Sequence, residues 1–184
     1  MKAVLISGSI RESSYNSAII KYINEYLNSL AHVEALIFND IDKLPFFSPD
    51  KDKHSLTSDQ SPQEVVKLRE ILRSADFVII STPEYAFEIS GVLKNTLDWL
   101  VSSGELVDKP AAVISASTSE MGGKSAAEVL TKLLNILSAK VFEEEILNIG
   151  RVNKKIDNNG TLDKELQKVL VDFVKKFLTL TFKV

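Results

Sequence analysis

The stretch Gly8-Ser9-Ile10-Arg11-Glu12-Ser13-Ser14-Tyr15-Asn16 gathers groups suited to gripping an anion. Hydroxyls of Ser9 and Ser14 can donate to phosphate oxygens, and the Arg11 guanidinium can add charge-assisted bonds. Gly8 lets the backbone turn tightly. The free amides that would open a following helix aim at the same spot, together with the positive end of its dipole. Ser13, Ser14 and Asn16 are also ordinary helix-capping types, so a purely structural reading stands beside the phosphate reading. With one glycine the loop is not the dinucleotide fingerprint G-x-G-x-x-G, and no Gly-Lys-Ser/Thr ending makes it a Walker loop. A phosphate bound here would belong to a mononucleotide.

Two later segments carry further groups of interest. In Thr82-Pro83-Glu84-Tyr85-Ala86-Phe87-Glu88-Ile89-Ser90-Gly91, Pro83 stiffens the exit from an apolar run. Its neighbours can turn backbone amides toward a flat ring, and Tyr85 and Phe87 can touch that ring or a second subunit. In Ser115-Ala116-Ser117-Thr118-Ser119-Glu120-Met121-Gly122-Gly123-Lys124, small residues precede adjacent glycines. A backbone lying against a planar ring needs that smallness and φ freedom. A Gly-Gly pair before a helix is also a common turn.

Continuous apolar runs predict buried strands at Lys2 to Ser7, Val33 to Phe38, Asp76 to Ser81, Ala111 to Ser117 and Lys140 to Leu147. Apolar residues at helical spacing predict helices near Ser14 to Leu30, Gln63 to Ser74, Val92 to Val101, Ala126 to Leu137 and Lys164 to Leu180. Leu93, Leu97, Trp99 and Leu100 read as helix packing, and Asn95 and Asp98 as structural caps or interface residues. A turn is expected at Asn158 to Gly160. Asn39 to Pro62, with Pro45, Pro49 and Pro62, reads as a long loop with a short helical turn. Phe46 and Phe47 within it are exposed apolar residues suited to a lid or a subunit contact. The alternation predicts an α/β fold with a parallel sheet and helices on both faces. In such a sheet, ligands sit beyond the carboxyl ends of the strands where the strand order reverses, which places the loops after the first, third and fourth strands together.

Gly8, Ser9, Arg11, Ser14 and Asn16 form the pattern G-S-x-R-x-x-S-x-N, which resembles the NADPH-dependent FMN reductase family, a group that includes quinone, azo-dye and chromate reductases. Thr82 to Trp99 is similar to that family's second signature, T-P-E-Y-N-x-S-x-P-G-x-L-K-N-x-I-D-W, with Ala86, Glu88 and Ser90 standing where Asn, Ser and Pro are usual. The likeness runs from Met1 to about Phe142. It implies a flavodoxin-like, doubly wound five-stranded parallel sheet of order 2-1-3-4-5. It also implies FMN as cofactor and NADPH or NADH as electron donor. By resemblance, Ser9, Arg11, Ser14, Tyr15 and Asn16 surround the FMN phosphate. Pro83, Glu84, Tyr85, Ala86 and Phe87 lie along the ribityl chain and ring, and Ser115, Ser117, Gly122 and Gly123 face the ring edge. The partners implied are a small-molecule electron acceptor (a quinone, azo compound or metal oxyanion) and further copies of the chain in a homodimer or homotetramer. The flavin supplies the chemistry, so no side chain is assigned a catalytic role. The departures at Ala86 and Glu88 bear on ring binding and substrate. Two other readings are an FMN-binding electron carrier without nicotinamide activity, and a fold relative that has lost its flavin.

At 184 residues, with 45% hydrophobic and 26% charged, the chain is expected to form one domain spanning residues 1–184. No cysteine is present, which excludes disulfides, thiolate nucleophiles, iron–sulfur ligation and zinc–thiolate sites. His32 and His54 lack metal-ligand spacing, so no metal is expected. A net charge of −3 without a basic cluster tells against nucleic acid. No run of about 18 apolar residues spans a membrane, and Arg11 interrupts the opening apolar run too early for a secretory signal. The cytoplasm is the expected location.

Overall fold

The computed structural model describes residues 1–55, 57–142 and 146–182. Five strands, β1 (Lys2–Ser7), β2 (Glu34–Phe38), β3 (Phe77–Thr82), β4 (Ala111–Ala116) and β5 (Ile146–Ile149), alternate with α1 (Tyr15–Asn28), α2 (Gln63–Ser74), α3 (Gly91–Asp98), α4 (Lys124–Ile136) and α5 (Lys164–Phe182). All pairings are parallel and the order is β2-β1-β3-β4-β5. This is the flavodoxin-like arrangement that the resemblance implies.

Alternation along the strands divides the core. Val4, Ile6, Val78, Ile80 and Val113 point to the layer of α2, α3 and α4. Ala3, Leu5, Phe77, Ile79, Ala112 and Ile114 point to α1 and α5. Central strands buried on both sides have no polar face, which is why they read as unbroken apolar runs.

The fifth strand differs from expectation. Lys140 makes only an isolated bridge with Pro110, and the ladder with β4 begins at Ile146, opposite Val113. Register with Val113–Ala116 sets its place, and the apolar Val141 and Phe142, which resemble the start of a strand, lie before the ladder. Glu143 to Glu145, also within the expected strand, lie outside the described residues. Helix α3 stops at Asp98, short of Val101, and the chain goes on as turns from Trp99 to Ser103.

The loop of residues 39–62 contains the expected short turn, a 3₁₀ helix at Pro49–Lys51. Asn95 pins it, donating from Nδ2 to the Pro45 carbonyl (3.0 Å) while its Oδ1 accepts from the Phe47 amide (2.8 Å). Trp99 Nε1 donates to the same carbonyl at 2.9 Å. Phe47 is therefore not an exposed residue. It is half-buried, edge-on to the Trp99 ring at a centroid distance of 5.1 Å, whereas Phe46 is 88% exposed. Among the described residues, no helix is long and apolar enough to cross a membrane.

Candidate functional site

Strand order reverses between β1 and β3, and the loops that follow β1, β3 and β4 meet at the carboxyl end of the sheet. Ser9, Arg11, Ser14, Tyr15, Asn16, Pro83, Glu84, Tyr85 and Ser117, all singled out from the sequence, line one cleft of about 110 Å³ there with Ala116 and Thr118.

Gly8 enters the first loop under tight constraint. Its amide donates to the Ser81 carbonyl at 2.7 Å, its carbonyl accepts from the Ser90 hydroxyl, and a Cβ would lie 2.9 Å from Leu93 Cδ2. Ser9 Oγ accepts from the Arg11 amide (3.4 Å), and Ser14 Oγ, the N-cap of α1, accepts from the Ser17 amide (3.2 Å). In both cases the hydroxyl oxygen serves the protein, which leaves the proton free to donate outward. The amides of Glu12, Ser13 and Tyr15 take no acceptor among the described residues. Arg11 is exposed and enters no ion pair among them, and the first turn of α1 carries no acid to compete with an anion.

Asn16 does different work. It is 4% exposed; its Oδ1 accepts from Ser81 Oγ (2.8 Å) and its Nδ2 donates to the Ala116 carbonyl (3.3 Å). One amide thus ties α1 to β3 and β4 beneath the cleft.

Pro83 is buried, and beyond it the chain makes a two-residue hairpin. Tyr85 and Glu88 exchange both backbone hydrogen bonds at 3.0 Å, while Ala86 (φ 52°) and Phe87 (φ 65°) occupy the left-handed region. This is the geometry of a type I′ turn. Tyr85 is 49% exposed and faces the cleft, whereas Ala86 and Phe87 stand at the tip, with Phe87 75% exposed. Glu84 Oε2 accepts from the Ala126 amide in the first turn of α4 (3.1 Å), so this carboxylate caps that helix from a neighbouring loop. Ser90 caps α3, accepting from the Leu93 amide at 3.3 Å.

Ser115 lies fully buried below the cleft, where its hydroxyl holds the Gly122 carbonyl (2.8 Å) and the Asn148 side chain (2.7 Å). Gly122 (φ 66°) and Gly123 (φ 80°) use the conformational freedom that only glycine offers cheaply. The close approach at Gly122 is to the chain itself, because a Cβ there would lie 2.7 Å from the Gly150 nitrogen.

Sequence reasoning missed Ser81, Ser90, Asn148 and Gly150. A serine within the apolar run Phe77–Thr82 was a visible signal for Ser81, but nothing local marks Asn148 or Gly150.

Fold and site together define a doubly wound α/β protein with a cleft at the topological switch point. The profile of the NADPH-dependent FMN reductase family matches residues 1–154, and the chain belongs to that family of oxidoreductases, whose cofactor is FMN and whose electron donor is NAD(P)H. It is 30% identical to an NADH:(hydroxy)cinnamate reductase subunit of Vibrio ruber, over 98% of this chain and 87% of that one. It is 29% identical to a quinone reductase of Escherichia coli K12, over 89% of this chain and 88% of the relative. The structure of FerB, a flavoenzyme NAD(P)H:(acceptor) oxidoreductase from Paracoccus denitrificans, superposes with a TM-score of 0.83 at 25% identity, covering 99% of this chain and 97% of that one.

Proposed function

We propose that the protein, as one FMN-binding domain, transfers electrons from NAD(P)H to a small-molecule acceptor, a quinone foremost and an azo compound or metal oxyanion as further acceptors. For a quinone the balance is NAD(P)H plus a proton plus quinone giving NAD(P)⁺ plus hydroquinone. The observation that carries the reading is the unspent donor set of the first loop. The outward-facing protons of Ser9 and Ser14, the amides of Glu12, Ser13 and Tyr15, and the Arg11 guanidinium match a phosphate dianion. The residues therefore fit FMN, which when bound supplies two-electron redox chemistry. Pro83 and Tyr85 would bound the ring on one side, and Ser117 on the other. Glu84, Asn16, Ser115 and the glycine pair act as positioning groups that hold the loops in place. Ala86 and Phe87, at the hairpin tip, would meet the ring's rim or an incoming substrate.

The quinone reductase relative supports this reading over that of a carrier without nicotinamide activity. Exposed Ile10, Phe46, Phe87 and Met121 stand in the loops that follow β1, β2, β3 and β4, so an apolar rim surrounds the carboxyl end of the sheet. That rim supports a homodimer or homotetramer assembled at the site.

Substitution tests the phosphate assignment. Ser9→Ala with Arg11→Ala weakens FMN by about 100-fold, two charge-assisted contacts at about 1.5 kcal/mol each, and leaves riboflavin within about threefold, since only FMN carries the phosphate. Equal losses for both ligands would refute it. Loss of nicotinamide absorbance on adding a quinone checks the activity, and a chain that binds FMN but never oxidises NAD(P)H returns the carrier reading.

A further inference from the structure

The three loops that meet at the cleft are short of positive charge. Residues 8–14, 83–90 and 117–123 hold one cation, Arg11, against four acids, Glu12, Glu84, Glu88 and Glu120. Two of the acids are engaged within the protein, Glu84 by the Ala126 amide and Glu120 by Arg151. The cations at the start of the neighbouring helices are engaged as well, Lys94 with Asp98 and Lys124 with Glu128 at 3.8 Å. With Arg11 assigned to the flavin phosphate, Glu12 and Glu88 are left as the uncompensated charges of these loops. Glu12 lines the far side of the first loop, along α1. Glu88 stands on the hairpin beside the cleft.

Tyr85 and Glu88 exchange both backbone hydrogen bonds and so lie directly opposite one another. Residues paired in this way carry their side chains on the same face of the ribbon, with Cα atoms about 5.5 Å apart. Tyr85 lines the cleft, and its face is therefore the face of Glu88. Glu88 is exposed and enters no ion pair among the described residues. Ile89 turns inward and Ser90 holds the Gly8 carbonyl, which fixes how the ribbon is presented. We propose that Glu88 selects electron acceptors by charge, favouring uncharged quinones over anionic acceptors. The inference rests on the function proposed above, with the flavin ring beside Tyr85, and it orders the acceptors named there: an uncharged quinone first, a metal oxyanion last. The residue usual at this position in the family signature is a neutral serine, so the carboxylate is an addition of this chain. A like charge about 7 Å from a carboxylate, at an effective dielectric between those of a protein surface and of water, lowers the rate of productive approach about three- to tenfold. Salt screens such a pair once the Debye length falls to a few ångströms.

The test uses full-length, flavin-loaded protein, a saturating nicotinamide donor and two quinones of one ring system, 1,4-naphthoquinone and its 2-sulfonate. For each chain the ratio of kcat/KM, sulfonated over unsulfonated, is measured at low and at high salt, about 10 mM and about 500 mM. Comparing that ratio between chains removes the intrinsic difference in reactivity of the two compounds. At low salt Glu88→Gln raises it about three- to tenfold, Glu88→Ser does the same, and Glu88→Asp, which keeps the charge, stays within about twofold of the native chain. At high salt the rise shrinks below about twofold. A ratio that neither neutral variant changes, a rise that persists undiminished at high salt, or an equal rise in Glu12→Gln overturns the proposal. Protein that reduces neither quinone overturns the proposed function itself. Native protein and neutral variants that reduce both quinones at one common ratio sink only the role of Glu88.

Discussion

Ala86 and Phe87 both hold positive φ angles without being glycine, a conformation that costs an L-residue about 1–2 kcal/mol. Asparagine tolerates it better, and asparagine is the residue usual at position 86 in the family signature. Ala86→Asn should therefore raise unfolding free energy by about 0.5–1 kcal/mol, seen as a higher urea midpoint at unchanged slope. No gain, or a loss, would show that the hairpin is held by contacts other than its own torsions. Ser90 replaces the family's proline and gains what proline lacks, a hydroxyl that accepts from Leu93 and donates to the Gly8 carbonyl. At position 86 this chain departs from what the local torsion favours, and at position 90 it gains hydrogen bonds that the family pattern lacks.

The element that shapes the cleft's floor is the segment between β4 and α4, clamped from two sides. Glu84 reaches in from the β3 loop to cap α4, and Gly122 packs against Gly150 beyond β5. Glu84→Ala should cost about 1 kcal/mol, as the loss of other helix caps does, while Glu84→Gln keeps an acceptor and loses less. Thermal unfolding of both variants checks the order. Gly122→Ala is the harsher change, because the new methyl meets backbone at 2.7 Å and at positive φ. It should destabilise by about 3 kcal/mol or more and lower FMN retention with it, since the loop must move to accommodate the methyl.

Across the molecule, Arg69 joins three otherwise separate regions. Fully buried on α2, it pairs with Asp52 and Asp59 of the long loop at 2.9 Å each and donates to the Trp99 carbonyl beyond α3 through Nε (3.2 Å) and Nη2 (2.6 Å). Replacing Arg69 with methionine strands two carboxylates and should cost about 3–5 kcal/mol. The same network sets an acid limit. Burial pushes the Asp59 carboxyl up, but hydrogen bonds from Ser61 and Arg69 outweigh it and hold the group at about 2, against an ordinary 3.8. A depressed folded-state value gives stability that is fully present above the ordinary carboxylate range and lost as pH falls from there toward 2. Denaturant midpoints measured from pH 5 downward, in steps of about half a unit, should fall more steeply for the native chain than for Asp59→Asn. Parallel curves would assign the acid sensitivity elsewhere.

Periodicity and loop composition were enough to read the parallel α/β sheet and the loops after β1, β3 and β4, because strands buried on both faces and helices with one apolar stripe follow directly from local residue types. The donor-rich character of Gly8 to Asn16 was legible for the same reason, since its hydroxyls, amides and guanidinium lie within a few residues of one another. That Asn16 ties three elements together, that Gly122 lies against Gly150, and that Phe47 packs on Trp99 depended on partners dozens of residues away. The ladder opposite Val113–Ala116 likewise placed β5 at Ile146, and the balance around Arg69 needed Asp52, Asp59 and Trp99 to converge. Hydrogen bonds and close contacts act over a few ångströms, and only the folded chain brings such residues within that range.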